Sequence, residues 1–412
     1  MAASLLYGVL CIRLLPIGEY AKFVVVFAAQ ASLMVLMDVG ISGSFIPLVG
    51  ERIDDLQLIA DYLASLRQIA HRLYAVFAPI TIVAFPLLVH NRHWNWKVVT
   101  AMVVIVLVAA WSSRIEASYG SVLILRRDRS RWYRAKIVAS FANLALLGVF
   151  VACHWFNAFV AILIGVFGQI SVALTYYLRA RRLLGVAGVP SKEKRTAIIQ
   201  LTLPAVPSVF FYALSGQLSV LLITIFGRTA GVASVGALGR LGQIYGLLSQ
   251  MNGILVEPYF ARLKKTQLKA NYLLAVTVAG CCGFGVAVLA RFFPGLFLWV
   301  LGPKYAGLRV EVMLVMLGGG IGLVKGIVAT VNGSRRFTYY KFILTDNILT
   351  LIVEALFIWK VDLSSVKAVL WFGIVCGLPS FAMGILAALY GMAKGGRRIV
   401  GIDYSLEEDK ML

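Results

Sequence analysis

The stretch VVTAMVVIVLVAAWSSRIEASYGSVLI, residues 98–124, decides the fold. Its only charged side chains are Arg114 and Glu116, and it exceeds the roughly 20 apolar residues with which an α-helix crosses a bilayer core. Comparable apolar segments recur along the chain, and 60% of its 412 residues are hydrophobic, against roughly 45–50% in soluble domains. The segments are too long, and lack the period-two alternation, for a β-barrel. The sequence therefore predicts an all-α, polytopic membrane protein.

Apolar segments separated by short polar loops predict about twelve transmembrane helices. The polar stretches between them are too short for a separate soluble domain. The predicted spans cover residues 2–16, 20–49, 73–90, 98–124, 136–153, 156–178, 197–226, 230–259, 270–290, 310–332, 342–359 and 367–392.

The distribution of lysine and arginine predicts the orientation of the chain, whose formal net charge is +21. Alternate loops hold about 26 of the 39 basic residues, and the opposite loops hold about 8. By the positive-inside rule, the basic loops and both termini lie on the cytoplasmic side. These loops comprise residues 50–72, 125–136, 179–196, 260–269, 333–341 and 393–412.

The two halves of the chain resemble each other. GEYAKFVVVFAAQ (residues 18–30) is similar to GVASVGALGRLGQ (residues 231–243), which places Gln30 on Gln243. Six spans in each repeat give both repeats the same orientation, an arrangement typical of transporters. We predict two six-helix lobes around a central cationic cavity. The predicted parts are an N-terminal lobe (1–178), a cytoplasmic linker (179–196), a C-terminal lobe (197–392) and a cytoplasmic tail (393–412).

The connection ERIDDLQLIADYLASLRQIAHR, residues 51–72, is too polar to span a membrane. Its apolar residues recur at helical spacing, which predicts an amphipathic helix lying along the cytoplasmic interface. The residues predicted to form its apolar face are Leu56, Ile59, Tyr62, Leu63, Leu66, Ile69 and Ala70.

Four motifs, taken in order, resemble one known family. They are RLLPIGEYAKF (13–23), RRDRSRWYRAKIVASFANLALLGVF (126–150), LTLPAVPSVFFYALSG (201–216) and VLGPKYAGLRVEVMLVML (300–317). They are similar to segments of the polysaccharide-repeat-unit (O-antigen or exopolysaccharide) flippases of the multidrug/oligosaccharidyl-lipid/polysaccharide exporter superfamily. The resemblance implies a substrate, an undecaprenyl-pyrophosphate-linked oligosaccharide, moved across the bacterial inner membrane by alternating access. It also implies membrane lipids, a polysaccharide polymerase and export machinery as partners.

Charged and amide side chains form a stripe on one predicted helix. Arg240, Gln243, Gln250 and Glu257 are spaced by three, seven and seven residues, so they share a helix face. An arginine in the centre of a span costs about 2.5–3.5 kcal/mol on insertion scales. Two interpretations remain open: the stripe lines a cavity, or Arg240 forms a structural ion pair with a neighbouring helix.

Two further cations lie inside predicted spans, Arg114 and Lys325, at similar distances before the basic loops of their halves. We expect them to face a central cleft together with Arg240. A cationic cavity of low dielectric suits phosphate, whose oxygens a guanidinium binds in a fork. The predicted substrate-binding residues are Arg240, Lys325, Arg114, Gln243 and Gln250, with Tyr245 and Asn252 as further donors to sugar hydroxyls. Arg13 and Lys22 are predicted interfacial anchors.

Four acidic residues in or near spans could couple transport to an ion gradient: Glu354, Asp346, Glu257 and Asp38. Asp38 and Glu257 lie near span ends, which favours structural roles, whereas Glu354 is deeper and could hold a proton or form a structural pair. Many relatives of the resembled family carry an acid in the seventh span. Ser215 and Gln217 stand there in this chain, which leaves the coupling ion open.

Other functions remain as alternatives. A multidrug/ion antiporter of the same superfamily would need acidic residues for cationic drugs, and a lipid II flippase would share the anionic-substrate chemistry. A membrane-embedded polysaccharide polymerase or glycosyltransferase generally needs a large polar outer loop, which this chain lacks. No nucleophile–base arrangement, metal-ligand spacing or phosphate-binding loop stands out, so we expect no enzyme activity, catalytic residue, metal or cofactor, and no nucleic-acid partner.

Overall fold

The computed structural model describes residues 2–394 apart from 50–51, 53, 91–93, 127, 204–205, 264, 336 and 338. Within these ranges the regular secondary structure is helical and no strand occurs, which confirms the all-α prediction. In this described part, nine helices are long and apolar enough to cross a membrane, and two shorter apolar helices cover Ala3–Leu14 and Gln217–Phe226. The pattern agrees with a twelve-helix membrane protein.

The chain divides into two compact units, residues 1–236 and 237–412. The lobe boundaries predicted above, at residues 178 and 197, stay predictions, and the tail lies outside the described residues apart from its first two. The helices of the first unit are α1 (Ala2–Leu14), α2 (Ile17–Asp38), α3 (Ile41–Val49), α4 (Leu56–Val89), α5 (Trp96–Leu125), α6 (Arg129–Ala152), α7 (Ala158–Leu184), α8 (Lys192–Thr202) and α9 (Val206–Phe226).

Helix α10 (Thr229–Met251) contains the division between the units. It continues into a π-helical turn (Asn252–Val256). The later helices are α11 (Glu257–Arg262), α12 (Lys265–Phe292), α13 (Pro294–Leu301), α14 (Arg309–Ser334), α15 (Tyr340–Lys360) and α16 (Val366–Lys394).

A left-handed break separates α2 from α3 within one predicted span. Val39 and Gly40 have φ values of 44° and 81°, which ends α2. The Asp38 Oδ1 atom accepts a hydrogen bond of 3.1 Å from the backbone N–H of Ser42, and it also accepts one from the Ser42 hydroxyl. Asp38 therefore stabilises the turn between two helices.

The amphipathic segment 51–72 is not a separate interfacial helix, so that prediction is wrong. Helix α4 begins after Asp55, whose side chain accepts from the N–H of Leu58 at 2.9 Å, and continues without a break into the predicted third span. No glycine or proline interrupts α4 before Pro79, so nothing ends the helix near residue 72. The predicted apolar face is real, but Phe45 and Ile198 of the same unit cover it.

The predicted eighth span, 230–259, is not a straight helix. It changes at Asn252 to a π-helical turn, and α11 begins at Glu257. Pro258 has no N–H to donate to the preceding turn, which disfavours a continuous α-helix at this point. Because a π turn pairs residues five apart, Glu257 does not keep the straight-helix register that placed it in the stripe with Arg240.

Glycines allow the backbones of α12 and α14 to meet in the second unit. A Cβ atom added at Gly283 would lie 2.7 Å from the Cα of Gly320, and one added at Gly320 would lie 2.9 Å from the carbonyl carbon of Gly283. Beside this contact, the buried Tyr245 hydroxyl lies 3.0 Å from the carbonyl oxygens of both Gly283 and Met316. These contacts fix α10, α12 and α14 against one another.

Candidate functional site

Arg114 is a buried cation in the middle of an apolar helix. Its side chain lies on α5, and the residue is only 8% exposed. One guanidinium nitrogen, Nη1, donates to the carbonyl of Ala70 on α4, and the guanidinium carbon lies 5.6 Å from the ring centroid of Trp111. A carbonyl and an aromatic ring stabilise a buried cation, but neither neutralises its charge.

Two acidic residues, Glu116 and Asp38, are bonded to groups other than Arg114. Glu116, two residues along α5, forms an ion pair of 2.9 Å with Lys136 on α6. Asp38 interacts electrostatically with Arg114 at longer range, and its Oδ1 atom is already bonded to Ser42. Within the described ranges, no carboxylate lies at ion-pair distance from Arg114.

Arg114 lines a cleft between α4, α5 and α7 of the first unit. The cleft has a volume of about 380 Å³, part of it open to the surroundings. The residues that line it are mostly basic or aromatic: Arg67, His71, Trp111, Arg114, Ile115, Ser118, Tyr119 and Tyr177.

Sequence reasoning missed Arg67 and His71. It placed both in a cytoplasmic loop, because segment 51–72, with three arginines and a histidine, is too polar to span. The signal that could have found them is the absence of a helix stop between residues 56 and 78. A continuous α4 carries Arg67 and His71 alongside α5.

The second unit contains a buried polar cluster on α14, α15 and α16. Asp346 is 8% exposed, and its Oδ1 atom accepts hydrogen bonds from Ser380 at 2.6 Å and Thr350 at 3.2 Å. Lys325 interacts electrostatically with Asp346. Glu354, one turn after Thr350, is also buried. Lys325 and Asp346, predicted separately as a substrate ligand and a coupling acid, therefore belong to one cluster.

The stripe on α10 is only partly open to ligand. Arg240 and Gln243 are half-buried, and the side chain of Gln250 lies outside the described residues. Tyr245 is buried with its hydroxyl on two backbone carbonyls, so the prediction that it binds sugar is wrong. Asn252 is buried, and its Nδ2 atom has no hydrogen-bond partner in the described chain.

Two other predicted ionisable residues have local structural contacts. Lys22 forms an ion pair of 2.6 Å with Glu19, and the other Glu19 oxygen accepts from the N–H of Ala158 at 3.1 Å, at the start of α7. Glu257 is exposed in the first turn of α11, where a carboxylate interacts favourably with the helix dipole.

Arg114 belongs to the first unit, and Arg240 and Lys325 belong to the second, so their common cavity stays a prediction.

Comparison with known proteins shows what this fold resembles. No protein-family model matches the chain, and no curated protein matches it. It is similar in structure to the inward-facing conformation of a multidrug resistance MATE family transporter of the MOP superfamily, with a TM-score of 0.65, 15% identity, and coverage of 95% of this chain and 93% of that chain. The outward-facing conformation of such a transporter gives a TM-score of 0.56 and 16% identity, covering 95% and 92%.

The lipid II flippase MurJ, in an inward closed conformation, is similar with a TM-score of 0.65 and 10% identity over 96% of this chain and 87% of that chain. At these identities the likeness concerns the fold alone. The chain therefore has the fold found in multidrug transporters and in a lipid flippase, over nearly its whole length.

Proposed function

We propose that the protein is a flippase that moves an undecaprenyl-pyrophosphate-linked oligosaccharide across the bacterial inner membrane by alternating access. The observation that carries this proposal is Arg114, a cation that is buried in an apolar helix with no carboxylate at ion-pair distance in the described chain. An uncompensated buried cation is costly unless a ligand supplies the opposite charge. A pyrophosphate supplies at least two negative charges and several acceptor oxygens.

A multidrug antiporter is the second candidate, because the chain shares its fold with a multidrug resistance MATE family transporter. Cationic drugs would require an acidic binding surface. The cleft around Arg114 is instead lined by arginines, a histidine and aromatic rings. Charge complementarity therefore favours an anionic substrate over a cationic one.

Ion coupling is assigned to Asp346 within this proposal, with Glu354 as the second candidate. Both are buried in the second unit, whereas Asp38 holds a turn and Glu257 is exposed. Asp346 also interacts with Lys325, so protonation or cation binding at its carboxylate would change the charge balance of a predicted substrate ligand.

The remaining parts of the proposal follow from charge distribution and from the family resemblance. Both termini lie in the cytoplasm, membrane lipids surround the apolar helices, and a polysaccharide polymerase and export machinery receive the flipped product. The reaction needs no catalytic residue and no cofactor.

A deletion strain of the native host tests the proposal. We expect the strain to accumulate lipid-linked oligosaccharide on the cytoplasmic face, and wild-type protein to relieve the accumulation. Arg114→Ala should fail to relieve it at equal protein level, whereas Arg228→Ala, which removes an exposed arginine outside the cleft, should succeed. Unchanged surface polysaccharide in the deletion strain, together with increased drug sensitivity, would favour the antiporter instead.

A further inference from the structure

The cleft of the first unit brings two arginines together. Arg67 on α4 and Arg114 on α5 both line this cleft, so two positive charges share one site. Tyr119 of α5 lines the same cleft as Arg67. Like charges placed together at a partly buried site destabilise the fold unless an anion lies between them.

The acid that acts on Arg114 does not balance the charge of both arginines. Asp38 is the carboxylate that interacts electrostatically with Arg114, and it contributes one negative charge against two guanidinium groups. Its Oδ1 atom is committed to the Ser42 turn. The described groups therefore leave an excess of positive charge, which a dianion or trianion would complement better than a monoanion would.

His71 is a third nitrogen-bearing side chain in the cleft, after Arg67 and Arg114. Its Nδ1 atom lies 2.6 Å from the carbonyl oxygen of Arg67. A carbonyl can only accept, so this contact is a hydrogen bond in the tautomer with the proton on Nδ1, and that tautomer leaves Nε2 for a ligand.

Aromatic side chains form rigid walls around these cations. The Trp111 ring lies edge-on to His71, with centroids 4.8 Å apart, and edge-on to Tyr74 at 5.0 Å. Tyr119 packs edge-on against Tyr177 at 5.1 Å. Rings fixed by mutual packing lose little entropy on binding and can contact the sugar or prenyl unit next to a phosphate.

We propose that this cleft is a diphosphate-binding site, in which Arg67 and Arg114 clamp the phosphate groups of a phosphate ester and Trp111 contacts the group attached to them. The proposal rests on the proposed function, and it adds that the anion is held within the first unit alone, by Arg67 in addition to Arg114. A diphosphate should bind more tightly than a monophosphate, because two guanidinium groups can each bind one phosphate.

Binding of inorganic pyrophosphate and inorganic phosphate to the purified full-length protein in zwitterionic nanodiscs tests this site by calorimetry. We expect pyrophosphate to bind at least about tenfold more tightly than phosphate, or about 1.4 kcal/mol. Arg67→Gln should lose at least about tenfold in pyrophosphate affinity, and Arg228→Gln should lose none. Because Arg67 is exposed, its replacement should not impair folding even where Arg114→Gln does.

Nanodiscs containing phosphatidylglycerol separate the two sources of phosphate. If phosphatidylglycerol leaves the pyrophosphate affinity unchanged, the site binds a soluble or substrate-borne diphosphate. If phosphatidylglycerol competes with pyrophosphate and lowers its affinity in wild type but not in Arg67→Gln, the site binds a lipid headgroup. Equal pyrophosphate binding by wild type and Arg67→Gln, or no binding by wild type, would overturn the proposal. If wild type binds no pyrophosphate but still flips lipid-linked oligosaccharide, this inference fails and the proposed function stands. If it binds pyrophosphate but flips no such lipid, the proposed function fails.

Discussion

The Lys136 ammonium lies 2.9 Å from the Glu116 carboxylate, so the acid nearest to Arg114 in sequence is paired with a different helix. Lys136 also lies 4.4 Å from the centroid of the Trp132 ring, which holds it in place on α6. This pairing matters for function because it separates Glu116 from Arg114. Glu116 therefore does not neutralise Arg114, and the positive charge of Arg114 is available to an anion that enters the cleft.

Removing Lys136 should therefore have a small effect on stability and a larger one on the cleft. In Lys136→Met the Glu116 carboxylate loses its partner, and we expect a loss of less than about 1 kcal/mol because the pair is partly exposed. We also expect weaker pyrophosphate binding, since an unpaired carboxylate near Arg114 lowers the local positive potential.

The double variant Glu116→Gln/Lys136→Met is the matched control, and it should recover wild-type pyrophosphate affinity by calorimetry. Affinity that stays low in the double variant would show that Lys136 acts on the cleft in some way other than by neutralising Glu116.

Asp61 fixes the segment between α7 and α8 onto α4. Its Oδ2 atom lies 2.5 Å from Lys194 Nζ, and its Oδ1 atom accepts from the N–H of Val189 at 2.8 Å. We predict that Asp61→Asn raises the hydrogen-exchange rate of the Val189 amide by about tenfold, because a charge-assisted hydrogen bond is weakened.

Asp362→Asn serves as the control for this experiment. Asp362 bonds only to Ser364 of its own loop among its described contacts, so its replacement should leave exchange at Val189 unchanged. Exchange at Val189 that is equally slow in Asp61→Asn would mean that apolar packing, rather than Asp61, holds the segment.

Gly320 should tolerate no side chain, because its Cβ would meet the backbone of Gly283. We expect Gly320→Ala to destabilise the second unit by about 1–3 kcal/mol through overpacking. Gly285→Ala is the control, because Gly285 lies two residues after Gly283 on α12 and a Cβ added there meets nothing within 4 Å. This substitution should be neutral or slightly stabilising. Thermal unfolding of both variants in the same detergent provides the measurement, and equal melting temperatures would contradict the close contact of α12 and α14.

Asp346→Asn should reduce the response of flipping to an imposed ion gradient. The carboxylate is buried, and its charge acts on Lys325, so its removal should leave residual transport that no longer depends on the gradient. The measurement is flipping in proteoliposomes with a proton or a sodium gradient. Asp38→Asn, which alters a turn, is the comparison, and gradient dependence that survives in Asp346→Asn would exclude this residue from coupling.

Much of the fold could be predicted because the bilayer imposes simple rules on sequence. Long apolar runs predicted the spans 98–124 and 310–332, and α5 and α14 cover both. Features that depend on packing were missed. Segment 51–72 is polar enough for an interface, but tertiary contacts with Phe45 and Ile198 bury its apolar face and α4 continues through it.

The candidate site could be predicted only in part, for a related reason. Arg114 is visible in the sequence because a cation within an apolar run carries an energetic cost. Arg67 is not visible, because it lies in a polar segment where an arginine is ordinary, and its proximity to Arg114 depends on the packing of α4 against α5. The same holds for Ser380, whose hydroxyl reaches Asp346 only through the packing of α15 against α16.

The most direct test of the central claim is flipping by the purified protein. Proteoliposomes would contain a fluorescent undecaprenyl-pyrophosphate-linked oligosaccharide, and a membrane-impermeant quencher would report the fraction that reaches the outer leaflet. We predict that the labelled lipid rapidly becomes accessible to the quencher with wild type and with Arg228→Ala. With Arg114→Ala the rate should be at least about tenfold lower at equal reconstitution. Two results would contradict the claim that this chain moves an anionic lipid-linked sugar by means of its buried arginine. Wild type could leave the inner-leaflet lipid as protected from the quencher as protein-free liposomes do, or Arg114→Ala could flip the lipid at the wild-type rate.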